Sequence, residues 1–123
     1  MIYPILKPYS SNTFVLVEDY TYEDIKVTKG FETNGADIPR ILWSIVPPFK
    51  PKYLPAVVIH DYLIKVAITN EDIIVANYYF EKILLEIENS FKTRAMINAV
   101  RLYWKIKIKL RLNVLHCWNN NFY

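Results

Sequence analysis

His60 and Asp61 stand side by side in the apolar stretch PAVVIHDYLIKVAI, and by type they are the residues of this sequence best suited to move a proton or to hold an ion. An imidazole is a general base or metal ligand near neutral pH, and a carboxylate accepts, orients or ligates. Neighbouring positions of a helix point about 100° apart, so the two cannot aim together at one spot and each needs partners elsewhere. A buried polar side chain left without a partner costs roughly 1–3 kcal/mol or more. The nearest polar groups in sequence are Thr33, Asn34 and Asp37. Two readings of this cluster stand. In one, His60, Asp61 and Asp37 are catalytic; in the other, His60 is a core histidine bonded to a loop carbonyl or to Asp37, and the cluster ties loop to helix. Asp61 also has Lys65 four residues on, the favourable order for a helix ion pair.

The elements that must position these groups follow from the chain on either side. Both glycines, Gly30 and Gly35, and five of the seven prolines, Pro39, Pro47, Pro48, Pro51 and Pro55, fall between Gly30 and Asp61, which concentrates the unusual backbone geometry in one loop. Asn34-Gly35 signals a turn, and Asp37 before Ile38-Pro39 can cap a short helical turn. A helix from Pro55 to about Ile68 is apolar nearly all round, which predicts burial on most sides. Before the loop, Phe14 to Val17 and Tyr20 to Thr28 read as two antiparallel strands joined near Glu18-Asp19. After it, Thr69 followed by Asn70-Glu71-Asp72 reads as the cap of a second helix running to about Glu88. Ile73, Ala76, Tyr79 or Phe80, Ile83, Leu84 and Ile87 recur there at helical spacing. Asn89-Ser90 breaks it, and a third helix carries Ala95, Met96, Ala99, Val100 and Tyr103. The expected fold class is α+β, a small N-terminal antiparallel sheet packed with about three C-terminal helices, in one domain over residues 1–123.

From Trp104 to Leu112 the sequence WKIKIKLRL alternates as a strand would, but its residues are good helix formers and no breaker separates it from the third helix, so continuation of the helix is expected. The tail HCWNNNFY reads as irregular, with His116 incidental. Charge is split along the chain. From Phe91 onward there are seven basic residues and no acidic one, whereas residues 1–90 carry eight basic and twelve acidic groups. As a helix, the segment sets Arg101, Lys105 and Lys109 in one row beside apolar stripes made by Trp104, Ile108 and Leu112 or by Tyr103, Ile106 and Leu110. One stripe can pack on the core; the rest of the arc is an interaction segment for an anionic partner or a second copy, or a solvated face.

Much chemistry is left without support. One cysteine makes no internal disulfide, and no Cys or His spacing suits structural zinc, so the sequence calls for no cofactor. No Gly-rich phosphate loop, nucleophile elbow or HExxH helix occurs. The aromatic residues keep apolar company, which gives no basis for specific nucleic-acid readout. No apolar run reaches transmembrane length, and the start MIYPILKPYS lacks the layout of a signal peptide.

The run Gly30-Phe31-Glu32-Thr33-Asn34-Gly35-Ala36-Asp37-Ile38-Pro39-Arg40, then Leu42-Trp43, Pro47-Pro48, Tyr53-Leu54-Pro55-Ala56 and His60-Asp61-Tyr62-Leu63, resembles a family common in bacteriophages and prophages, domain of unknown function 1353. The family pattern is GF-x-TD-x-AS-x-PR, a Trp and paired prolines, A-x-x-x-HD-x-L-Y, and an Ala-Asp pair on the next helix. This chain departs from it at three places: Asn34 follows Thr33 where Asp is usual, Asp37 stands for a commoner Ser, and Ala76-Asn77 replaces Ala-Asp. An amide keeps a hydrogen-bond network but cannot act as a general base and is a poorer ligand for a hard cation. The resemblance implies a phage setting, with the virion or the host cytoplasm as location and other virion proteins or self-association as partners. The expected function is a structural or interaction protein whose polar cluster of Thr33, Asn34, Asp37, His60, Asp61 and Asn77 holds the fold. The alternatives are a small hydrolase, with or without a metal, using His60, Asp61 and Asp37, and a peripheral membrane or nucleic-acid binder working through the basic segment.

Overall fold

The computed structural model describes residues 1–11, 13–33, 44–45 and 50–122, with side chains as far as Leu110. It has an α+β architecture: two small antiparallel sheets followed by three helices. β1 (Leu6–Ser10), β2 (Thr13–Leu16) and β5 (Glu32–Thr33) form one sheet in the order β1-β2-β5, and β3 (Tyr20–Tyr22) pairs with β4 (Ile25–Val27) in the other. β1 escapes the strand pattern because Pro8 interrupts it; an edge strand tolerates proline since its missing N–H costs no ladder bond on the open side, and the register shifts between Pro8 and Ser10.

The single strand expected from Tyr20 to Thr28 is a hairpin instead. Glu23 adopts φ +50, a left-handed turn conformation that ends β3, and the chain folds back so that Tyr20 faces Val27 and Tyr22 faces Ile25. The inward alternation seen in the sequence is that of two strands sharing one buried face. Gly30, at φ +94, takes a backbone shape that side chains resist and donates its N–H to the Leu16 carbonyl at 2.9 Å. That bond returns the chain to β2 and aligns Thr33 opposite Phe14.

After a 3-10 turn over Pro51–Tyr53, α1 (Leu54–Val66) enters the centre of the molecule, with Pro55 through Asp61 buried without interruption. α2 (Asn70–Ile87) begins at Thr69 with a reciprocal cap: Thr69 Oγ1 accepts from the Asp72 N–H at 3.2 Å, and Asp72 Oδ2 accepts from the Thr69 N–H at 3.1 Å. Ser90 and Thr93 cap each other's backbone at the entry to α3 (Phe91–Phe122), and Thr93 Oγ1 donates to the Glu88 carbonyl at 2.6 Å. α3 runs straight through the Trp104–Leu112 alternation, as its composition predicts, and continues to Phe122 where an irregular tail was expected. No Gly or Pro lies between Phe91 and Phe122, so nothing in the backbone ends the helix earlier.

One apolar cluster joins sheets and helices, from Leu16, Tyr20 and Val27 through Val58 and Ile59 to Phe80, Leu84, Val100 and Trp104. The connection between α2 and α3 is only three residues, so the two helices run antiparallel, and the Arg101–Glu81 ion pair fixes their register. Among the described residues no helix is long and apolar enough to cross a membrane.

Candidate functional site

His60 projects from the middle of α1 into the core and is 1% exposed. The partner it finds among the described residues is on α2; residues 34–37 of the loop expected to hold it lie outside them. Its Nε2 lies 2.9 Å from Oδ1 of Asn77 on α2, and Phe80 packs beside the ring at 5.0 Å between centroids. Since the amide oxygen only accepts, the proton sits on Nε2. Burial disfavours the imidazolium and lowers the pKa of His60; the Asn77 bond and the Asp61 charge pull the other way and do not prevail. The pair is therefore neutral at pH 7, a tie between α1 and α2.

Asn77 stands where the resembling pattern carries Asp. A carboxylate in that place would draw His60 toward its charged form, as in a His–Asp pair poised for proton transfer. The amide leaves the geometry and removes the proton chemistry. His60 is thus buried and tied to an amide on α2.

Asp61, next in sequence, is 2% exposed. Neither of its carboxylate oxygens has a hydrogen-bond partner among the described residues, and the same is true of Thr33 Oγ1 on β5. Lys65 Nζ is 3.6 Å from Asp61 Oδ2, a compensating charge beyond hydrogen-bond reach. The same ammonium donates to the Glu32 carbonyl at 2.6 Å and lies 4.8 Å from the centre of the Phe31 ring, so it fastens α1 to β5. Of the six residues of the expected polar cluster, the structure thus brings together His60 with Asn77, and buries Asp61 on α1 and Thr33 on β5. Asn34 and Asp37 lie outside the described residues. Among those described, no three His, Cys, Asp or Glu side chains converge in a way that could hold a metal ion.

The interaction segment divides between two surfaces. Arg101, Lys105 and Lys109 are exposed in one row, Ile108 is half-buried, and Trp104 is in the core at 3% exposed. Packing has chosen the Trp104 and Ile108 stripe for the inside. Leu102, Ile106 and Leu110 are left outside, with Phe91 exposed on the Leu102 side about three turns earlier, at the start of α3. Between α2 and α3 runs a groove of about 510 Å³ lined by Ile74, Asn77, Tyr78 and Glu81 on one side and Arg101, Trp104, Lys105 and Ile108 on the other. The α2 half of this groove was missed in the sequence. Its signal was Ile74 and Tyr78, four apart and both off the core row that begins at Ile73.

Comparison with known proteins adds a family and a relative. The family described as "Protein of unknown function (DUF1353)" matches residues 12–100. A Sinorhizobium fredii (strain NBRC 101917 / NGR234) protein named "Uncharacterized protein y4jT" is 32% identical over 113 residues, an alignment covering 85% of this chain and 33% of the relative. The chain therefore spans about a third of the length of that relative. No solved structure matches.

Proposed function

The chain belongs to the DUF1353 family, whose function is unknown, and from that premise we propose that it is a phage-derived structural or interaction component, with α3 as its working surface and the His60–Asn77 pair holding the fold. The outer face of α3 carries this reading. Phe91, Leu102, Ile106 and Leu110 are 89%, 60%, 51% and 58% exposed along a helix that contains no acidic residue. An apolar ridge flanked by Arg101, Lys105 and Lys109 costs free energy in water and is suited to burial against an acidic surface. The other ninety residues of the chain carry a net charge of −4, so a second copy offers such a surface, as does an acidic virion protein. The virion setting rests on the family resemblance of the Gly30–Asp61 motif.

The test is to replace Ile106 with Asp and, separately, Lys105 and Lys109 with Glu, and to measure mass in solution and incorporation into phage particles. Both variants should keep the unfolding midpoint and lose assembly. Unchanged assembly in both, with the fold intact, refutes the interface. Salt-sensitive binding to anionic vesicles or DNA without assembly would instead assign the surface to a peripheral binder. A hydrolase remains as the second reading because the Asp61 carboxylate is buried with both oxygens free of hydrogen bonds among the described residues; catalytic turnover abolished by Asp61→Asn in a folded protein would establish it.

A further inference from the structure

The groove between α2 and α3 is lined by polar groups of which those left unpaired are, Tyr78 apart, donors. Trp104 lines it, and its Nε1–H is buried with no partner among the described residues. A buried indole N–H left unmade carries a desolvation penalty, which a ligand acceptor would remove. Asn77 also lines the groove; its Oδ1 is committed to His60, which leaves the two amide protons of Nδ2 unspent. Lys105 at the rim has no ion-pair partner among the described residues, whereas Arg101 and Glu81 neutralise each other. The unspent capacity is therefore two neutral donors and one cation, and the one carboxylate in the lining is taken. Only the Tyr78 hydroxyl can serve as donor or acceptor.

The walls are apolar: Ile74 and the Tyr78 ring from α2, the Trp104 ring and Ile108 from α3. At 1.5 Å per residue the lined stretch, Ile74 to Glu81, is roughly 10 Å long. That is too short to seat a partner helix, and the volume of about 510 Å³ falls in the range of small-molecule sites, roughly 300–1,000 Å³. We propose that this groove binds a small amphipathic monocarboxylate, its head accepting from Trp104 Nε1, Asn77 Nδ2 and Lys105 Nζ and its aliphatic stem lying between Ile74, Tyr78 and Ile108. One uncompensated ammonium matches one negative charge; a dianionic phosphate would leave a second charge unmatched beside Glu81. The site lies on the inner flank of α3 and shares Arg101 and Lys105 with the basic border of the Leu102–Ile106–Leu110 ridge, so Trp104→Phe tests it and Ile106→Asp tests the assembly role separately.

The probe is decanoate, below its micelle threshold, titrated into the full-length protein while the Trp104 indole N–H resonance is followed, with 1-decanol and decyltrimethylammonium as matched controls. Trp104→Phe assigns the resonance and deletes the donor together with part of the buried ring; in that variant binding is followed by calorimetry. Decanoate should give a saturable one-to-one shift, decanol should bind at least about tenfold more weakly, and the ammonium should not bind. Lys105→Glu should weaken decanoate at least about tenfold, and Trp104→Phe about three- to tenfold. Should Trp104→Phe fail to fold, Lys105→Glu and the decanol comparison decide. No saturable shift, equal affinity for decanoate and decanol, or unchanged affinity in the folded variants would overturn the proposal. Binding of acetyl-Leu-Glu-Leu-amide with none of decanoate would also overturn it, moving the occupant to a protein segment.

Discussion

The neutral state of His60 makes stability depend on pH with a sign that the structure fixes. Its folded pKa lies below the ordinary value of 6.5 because burial opposes the charge. In the unfolded chain the ring takes up a proton near that value. Between the two pKa values the unfolded state binds more protons, so stability is complete above 6.5 and is lost as the pH falls below it. For one proton the loss is at most about 1.4 kcal/mol between pH 7.5 and 5.5. With a urea slope of roughly 1–3 kcal/mol/M, the midpoint should fall by no more than about 0.5–1.4 M over the same range. The depressed carboxyls do not interfere. Asp19 and Asp72 are held below 3.8 by backbone N–H bonds, and Glu88 is brought down to about 2 by Lys52 and Ser90, so their contributions are lost only at lower pH. His60→Phe, which keeps an aromatic ring beside Phe80, should abolish this part of the slope and serve as the control for His116. Asn77→Asp should reverse it. A carboxylate at 2.9 Å raises the His60 pKa, giving stability that is present below the unfolded value and lost as pH rises through the folded one. Urea denaturation of the three proteins at intervals between pH 5.5 and 8 decides the matter, and equal slopes in wild type and His60→Phe would refute the buried neutral histidine.

Two further substitutions test the supports around the site. Thr69→Ala removes the reciprocal cap of α2 and should cost about 1 kcal/mol, within the 0.5–2 range of N-cap losses, read as a lower urea midpoint with an unchanged slope. Lys65→Met leaves the Asp61 carboxylate buried without its counter-charge and releases Glu32 from α1; a loss on the order of 2–4 kcal/mol at pH 7 is expected by thermal or urea unfolding, and a loss below about 0.5 kcal/mol would show that the pair does not secure β5.

The helices were legible in the sequence wherever a local signal set them. Thr69 and Asp72 mark the start of α2, and Asn89-Ser90 marks its end, to within a residue or two. The burial of α1 followed from its having no polar face. Strand pairing is a non-local matter, and there the reading failed in a specific way: Tyr20, Tyr22 and Val27 show one buried face whether they lie on one strand or on two, and only the conformation of Glu23 distinguishes these. β5, two residues long, carries no periodic signal at all. For the site, the sequence located His60 and Asp61 as buried polar residues and placed Asn77 in the cluster, without pairing Asn77 to His60. The bond to Asn77 depends on how α1 and α2 cross, and spacing within one helix does not encode that angle. The choice of the Trp104 and Ile108 stripe over that of Tyr103, Ile106 and Leu110 for the inside of α3 was hidden for the same reason.

The unbroken burial of α1 has a consequence for how the molecule opens. A helix with a solvent-facing stripe can detach from its neighbours while the rest of a protein stays folded, because it exposes only one side in doing so. From Pro55 to Asp61, α1 has no such side: β4 and β5 lie against it, as do α2 and the turn before it. Its amide protons can reach solvent only when several of these contacts are lost together, so their exchange reports the global unfolding free energy and no smaller opening. Folding of the sheets and of the helices is thereby coupled through one segment, and neither half can mature while α1 is out of place.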